Sequence, residues 1–478
     1  MAISRVEMSA IFIRFAAMLR AFKGYSIYIS QALKLSLPII AGQLGMVLMG
    51  FFDTLQVGVV GAEAVGSVGF ATSIFMTIII LGIGVTFAIS PLIAIADGEG
   101  NRPQSYPIML SGMRLSFVIS IILYALMSFL AYNIHWFGQS DIVNKTSTDF
   151  LAIINVSIPF MIFFNVLKQY FDGLGRTMPA MTITLIGVAL NIILNELLIN
   201  GIWGFPKLGA LGPAFATLSA RIFMLIGILF WMLRDEESKS FRAIYKNITV
   251  TVKKFSRELT IFKMGMPVGL QYFFEIAAFS AGITMSGWIS PRHMGAHQIA
   301  IIMASVTYMA VTGFSAAGSI MVGNAYGAKD KIGVKRSGNA ILLLTFIAEI
   351  VFALIFIIFN NYLPHWFTSE PFVLELSSML LIFAAFFQLS DGFQAVGAGL
   401  LRGIKDVKIP SMIAFVSYWI FMIPGSALLA FNTTIWGHNI GLGWGLQGIW
   451  TGFIAGLTLA AALLLWRFNR LVKTLNFE

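Results

Sequence analysis

The feature that most constrains this chain is a succession of twelve long apolar stretches separated by short polar breaks. A helix needs roughly 20 consecutive apolar residues to cross a bilayer. Such stretches lie at about 31–57, 66–95, 108–131, 149–171, 178–200, 209–233, 260–288, 294–326, 337–360, 373–400, 410–431 and 444–466. Several exceed the minimum, so tilt or kinking is expected. With 58% hydrophobic and 11% charged residues and a mean hydropathy of +0.86, the chain has too little polar surface to coat a soluble globule of 478 residues.

The basic residues test this reading, because Lys and Arg are retained in cytoplasmic loops during insertion. With both termini inside, the inner segments hold 27 of the 31 Lys and Arg, and the outer loops hold only Lys145, Lys207 and Arg292. Arg221 falls within a span. An even number of crossings follows, and the net charge of +10 needs no nucleic-acid partner. There is no cysteine, which excludes disulfides and thiolate ligands. Arg14 and Arg20 interrupt what would be the core of a signal peptide, so residues 1–30 are expected to form an interfacial or cytoplasmic segment.

The longest polar stretch, Arg234 to Arg257, divides the spans six and six. An ungapped shift of 229 residues aligns Pro38 with Pro267, Gly84 with Gly313, Ser90 with Ser319 and Gly98 with Gly327. Later, Gly173-Leu-Gly-Arg parallels Gly403-Ile-Lys-Asp, and Gly209/Gly212 parallels Gly445/Gly448. These are the marks of an internal repeat. Two six-span halves that start on the same side are parallel repeats about an axis along the membrane normal, and they enclose a cavity between two lobes. The expected organisation is an N-terminal lobe at 31–233, a linker at 234–259, a C-terminal lobe at 260–466 and a tail at 467–478.

A carboxylate inside a span costs about 2.5–3.5 kcal/mol to insert, so each one requires an explanation. Asp53, Glu275 and Asp391 sit beside other polar residues and read as ion or substrate ligands; the structural alternative is an internal hydrogen bond or an ion pair with Arg221. Glu349 has no polar neighbour in sequence, and its role is open. Asn191 and Asn195 share a helix face, with Thr217 on the next span, and serve either helix packing or a second polar cluster with Asp53. His293 and His297 lack a third ligand and a general base, so packing or hydrogen bonding is expected rather than a metal site. The chain contains no G-x-x-x-x-G-K-[ST], H-E-x-x-H or G-x-S-x-G, and no enzyme is expected. Without nucleotide hydrolysis, an ion gradient remains to drive transport; one charge through 100 mV supplies about 2.3 kcal/mol.

Leu37-Pro38 with Met49-Gly-Phe-Phe-Asp53-Thr, Gly295-Ala-His-Gln-Ile-Ala300 and Leu389-Ser-Asp391-Gly-Phe-Gln-Ala-Val-Gly-Ala-Gly-Leu-Leu-Arg402-Gly resemble the multidrug and toxic compound extrusion (MATE) family over about residues 30–470. The resemblance implies an all-α, twelve-helix, two-lobed antiporter of the bacterial inner membrane, with both termini cytoplasmic. It would export cationic or amphipathic drugs and dyes in exchange for sodium or protons, as a monomer without an organic cofactor. Glu275 and Asp391 resemble the family's cation-coupling carboxylates and are the expected sodium site, with Asp53 a further coupling carboxylate. Asn191, Asn195 and Thr217 match the polar cluster of the N-terminal lobe. Two positions depart from the pattern: Phe387 stands where a tyrosine often precedes the aspartate by four residues, and Asn195 stands where another branch has aspartate.

An alternative is a flippase or exporter of lipid-linked sugars or other polar metabolites. Such a cavity should be strongly cationic to hold a pyrophosphate. The intramembrane balance reads as acidic, with Arg221 the one basic member.

Overall fold

The computed structural model describes residues 5–247, 254–432, 434–435, 438–439 and 441–477. It is all-α, with one pair of two-residue strands, Thr434–Ile435 and His438–Asn439. The first half contains α1 (Arg5–Val57), α2 (Ala62–Thr86), α3 (Ile89–Gly98), α4 (Ser105–Tyr132), α5 (Asp141–Asn155), α6 (Ile158–Gly173), α7 (Met178–Asn200) and α8 (Gly212–Arg234). A short amphipathic helix, α9 (Glu236–Asn247), begins the linker. The second half contains α10 (Lys254–Ile289), α11 (Pro291–Gly327), α12 (Lys331–Ile358), α13 (Pro371–Gly403), α14 (Lys408–Phe415), α15 (Ile423–Ala430) and α16 (Leu446–Thr474). Proline marks the first turn of α6, α7, α8, α11 and α13, where its missing N–H has no helical acceptor to lose.

Among the described residues eleven segments are long and apolar enough to cross a bilayer singly, and a bent pair, taken as one span, makes twelve. The pair is α5 and α6, which meet at 44° where 149–171 reads as one span. The second span is also interrupted, at Phe87–Ala88, and a π-helical segment (Val416–Met422) joins α14 to α15 just before Pro424. The helix α1 runs unbroken through position 30 into the first span, and residues 1–4 lie outside the described residues.

The internal repeat recurs as paired contacts between the halves. A Cβ on Gly84 would lie 2.2 Å from Cα of Gly269, and one on Gly313 would lie 2.3 Å from Ile40 Cγ1. A Cβ on Gly98 would meet the Asn324 carbonyl, and one on Gly327 the Ile95 carbonyl. The same shift of 229 that relates Gly84 to Gly313 also relates Ile40 to Gly269 and Ile95 to Asn324, so each contact occurs twice about one dyad. Within the halves, Gly173 abuts the Ser90 carbonyl and Gly403 the Ser319 carbonyl. Gly175 and Lys405 both take positive φ, as do Gly209 and Gly445. The two halves therefore share these contacts and turns, although the second and fourth spans are broken where their counterparts, α11 and α13, run unbroken. The halves touch backbone to backbone near the end that carries the polar linker.

Candidate functional site

Between the halves lies a cavity of about 520 Å³. Among aliphatic and polar side chains, its wall includes thioethers and rings, Met46, Met76, Met224 and Met309 with Phe87, Phe164, Phe279 and Phe387. Such side chains adapt to varied apolar ligands. Glu275 from α10 and Asp391 from α13 interrupt this wall, each only 5% exposed. Gln394, one turn beyond Asp391, donates to Glu275 Oε2 at 3.2 Å, and the Tyr308 hydroxyl of α11 also hydrogen-bonds Glu275. Asp391 Oδ1 has no protein partner. Gln394 also hydrogen-bonds Asp391, so the two carboxylates share it, with Asp391 Oδ1 left over for a ligand.

Phe387 turns its ring against Trp450 at 5.4 Å and Phe279 at 5.7 Å, and it offers no oxygen. Tyr308 supplies a hydroxyl to the same site from another helix. No spacing rule links it to Glu275, 33 positions earlier in the chain.

The second predicted cluster is also brought together. Asn195 Nδ2 donates to Asp53 Oδ1 at 2.7 Å, Thr217 Oγ1 donates to Asp53 Oδ2 at 3.0 Å, and Asn191 Nδ2 donates to Thr217 Oγ1 at 3.1 Å. Asn191 and Asn195 are fully buried. This network joins α1, α7 and α8, and none of its four residues lines the main cavity. Arg221 does not pair with Asp53 among the described residues. It donates to Ser157 Oγ at 2.5 Å, at the break between α5 and α6, and its guanidinium lies 4.9 Å from the centre of the Phe75 ring.

Glu349 is buried with neither carboxyl oxygen bonded, and it packs behind Gly392, where a Cβ would meet its Oε1 at 2.9 Å. It faces Asp391's helix from outside the cavity wall. His297 accepts from Trp450 Nε1 at 3.1 Å, and His293 Nδ1 pairs with Ser290 Oγ at 2.7 Å. Among the described residues, no group of three or more His, Asp or Glu is placed to hold a metal.

The structure corrects one expectation. By position in the sequence Lys168 and Arg402 count with the cytoplasmic segments, but both lie on helices and line the cavity, so Arg221 is not the sole basic side chain within the lobes. Lys168 is paired with Asp172 at 2.9 Å, and Asp172 is buried. Their i,i+4 spacing at the end of a span is the sequence signal that joins them.

Comparison with known proteins agrees with this architecture. The sequence model of the MatE family matches residues 38–197 and 267–428, one copy in each half. The probable multidrug resistance protein NorM of Rhizobium meliloti is 31% identical, over 93% of this chain and 94% of its own. Multidrug resistance protein NorM of Vibrio vulnificus is 30% identical, over 94% and 98%. Among solved structures, the eukaryotic MATE transporter AtDTX14 superposes with a TM-score of 0.83 at 20% identity, covering 95% of this chain and 97% of that one. A multidrug resistance MATE family transporter of the MOP superfamily in an outward-facing conformation gives 0.82 at 18% identity, covering 94% and 97%. With matching sequence in both halves and the same two-lobed bundle, the chain belongs to the MatE family.

Proposed function

We propose that this protein is a secondary active exporter of cationic or amphipathic small molecules in exchange for sodium ions or protons. The observation that carries this is the pair Glu275 and Asp391, set in an otherwise adaptable Met- and Phe-lined cavity between two pseudo-symmetric lobes. The multidrug names of relatives that share about 30% identity over nearly the whole chain support it.

An ion entering from outside occupies the carboxylates, and a cationic substrate loaded from inside needs the same groups free. Competition for negative charge couples the two fluxes, while rocking of one lobe against the other exposes the cavity to each side in turn. Sodium fits the donor set, which is all oxygen: carboxylate, the Tyr308 hydroxyl and the Gln394 amide. Asp53 is a second cation station, since each of its oxygens accepts one hydrogen bond and keeps a lone pair. The protein resides in the bacterial inner membrane with both termini cytoplasmic, which puts the basic loops inside. A lipid-linked sugar pyrophosphate fits less well, because two carboxylates face the same space and, with Lys168 paired to Asp172, Arg402 alone is left to meet several phosphate charges.

The test is efflux of a cationic dye from drug-sensitive bacteria, with and without external sodium, for the wild type, Asp53→Asn, Glu275→Gln and Asp391→Asn. Charge-assisted contacts contribute about 1.5–3 kcal/mol, so Asp391→Asn should slow export by roughly tenfold or more at normal expression. Sodium-stimulated efflux lost in the variants identifies the ion; collapse by an uncoupler without a sodium effect identifies protons. Full export by Asp391→Asn refutes the coupling assignment.

A further inference from the structure

Arg402 is the uncompensated base of the cavity. It lines the wall, is 6% exposed, and its Nε has no partner. No carboxylate among the described residues pairs with it: Asp406, four residues on, is taken by Arg467, and Asp172, its counterpart in the repeat, is taken by Lys168. Among the described residues its guanidinium carbon lies 5.7 Å from the centre of the Phe87 ring, a contact that does not satisfy the Nε–H donor. A guanidinium this buried, with that donor unused, ordinarily meets an anion. The Ser319 hydroxyl, also lining the cavity, is likewise buried and unpartnered.

The helix fixes where that anion would sit. Asp391 and Arg402 are eleven residues apart on α13, which at about 100° per residue is three turns plus about 20°, so both face one side. At about 1.5 Å per residue they stand roughly 16 Å apart along the axis, less what the long arginine side chain reaches back toward the helix start. The cavity they share is lined by apolar side chains together with uncharged polar ones such as Thr312 and Ser315. Opposite charges are thus presented at the two ends of one drug-sized slot.

We propose that Arg402, assisted by the Ser319 hydroxyl, is an anion subsite for a carboxylate on the substrate, so that the cavity takes zwitterions with the base at Glu275 and Asp391 and the acid at Arg402. The proposal rests on the exporter reading above and adds the second charge.

Binding of two rhodamines to the purified full-length protein, followed by fluorescence anisotropy, tests it. One bears a free carboxylate, and the other is its methyl ester, which keeps the cation and loses the anion. Arg402→Gln should weaken the acid about tenfold and leave the ester within about twofold, while Arg402→Lys, which keeps the charge, should recover part of the loss. A Ser319→Ala loss confined to the acid supports the shared subsite. Equal weakening of both probes, or no change in either, overturns the proposal, as does failure of the wild type to bind the acid. If the acid binds in an Arg402-dependent way but the ester does not bind, the subsite stands and the reading as an exporter of simple cations fails. If instead ester binding is lost in Asp391→Asn while acid binding is indifferent to Arg402, the subsite falls and the exporter reading stands.

Discussion

Asp53 and Asp391 are both carboxylates inside a lobe, yet their surroundings differ in kind. Each Asp53 oxygen accepts a hydrogen bond from an inward-facing side chain, whereas Asp391 keeps an oxygen free at the cavity. Removing a donor at the first site should register as stability. Asn195→Ala leaves Asp53 Oδ1 without its 2.7 Å partner and should lower unfolding free energy by about 1–3 kcal/mol, read from denaturation in detergent. Unchanged stability would show that the bond is not formed. The acidic side chains of both sites were legible in the sequence because burying charge is costly, and Asn191, Asn195 and Thr217 were legible through their spacing. Tyr308, Gln394 and Arg402 were not, because a tyrosine, a glutamine or a terminal arginine on an apolar helix is ordinary until the fold shows what it faces.

At the level of helices, glycine does the positioning where two backbones must approach. Gly84 meets Gly269 so closely that any Cβ there lies 2.2 Å from backbone, while Gly66, on the same helix, has open space around it. Gly84→Val should therefore push α2 from α10 and abolish export, and Gly66→Ala should leave it near wild type; equal activity of the two variants would refute the contact. The positions of most helices followed from hydropathy alone, and Pro38 and Pro267 announced equivalent places within α1 and α10. The break at Val156–Ser157 is announced only by Pro159, which fits the first turn of a new helix, and it is buttressed from a distance by the Arg221 to Ser157 bond. The linker is too polar to show a span, yet twelve of its residues form α9, whose apolar side docks through Phe241.

At the scale of the whole molecule, α9 is held to the first lobe by charge. Arg176 pairs with Asp235 and with Glu237, and Arg102 bonds Glu237 at 2.5 Å and Asp97 at 2.9 Å. Asn324 reaches across from the second lobe to Asp97 at 2.9 Å. Burial alone would raise the Asp235 carboxyl, but hydrogen bonds from Arg176 and Ser238, with the charge of Arg176, outweigh it and hold the group at about 2. A carboxyl depressed on folding contributes its stability in full above its unfolded value of about 3.9 and loses it as pH falls through the folded value. Linker docking should therefore hold at pH 4 and above and weaken between about 4 and 2, and Asp235→Asn should remove that dependence; protease nicking of the linker across this range is the measurement. The pairing of the lobes was legible from the repeat, because both copies keep the glycines their dyad contacts require. Those contacts have one more consequence. Where the lobes meet near the linker, glycines bring main chain against main chain, and the side chains that join them, Asn324 with Asp97 and the small apolar group of Ile39, Ala94 and Ile320, belong to the lobes themselves. A seal made from the lobes' own backbone and side chains shuts in the same way behind every cargo, and a carrier of many compounds can leave all discrimination to the chamber itself.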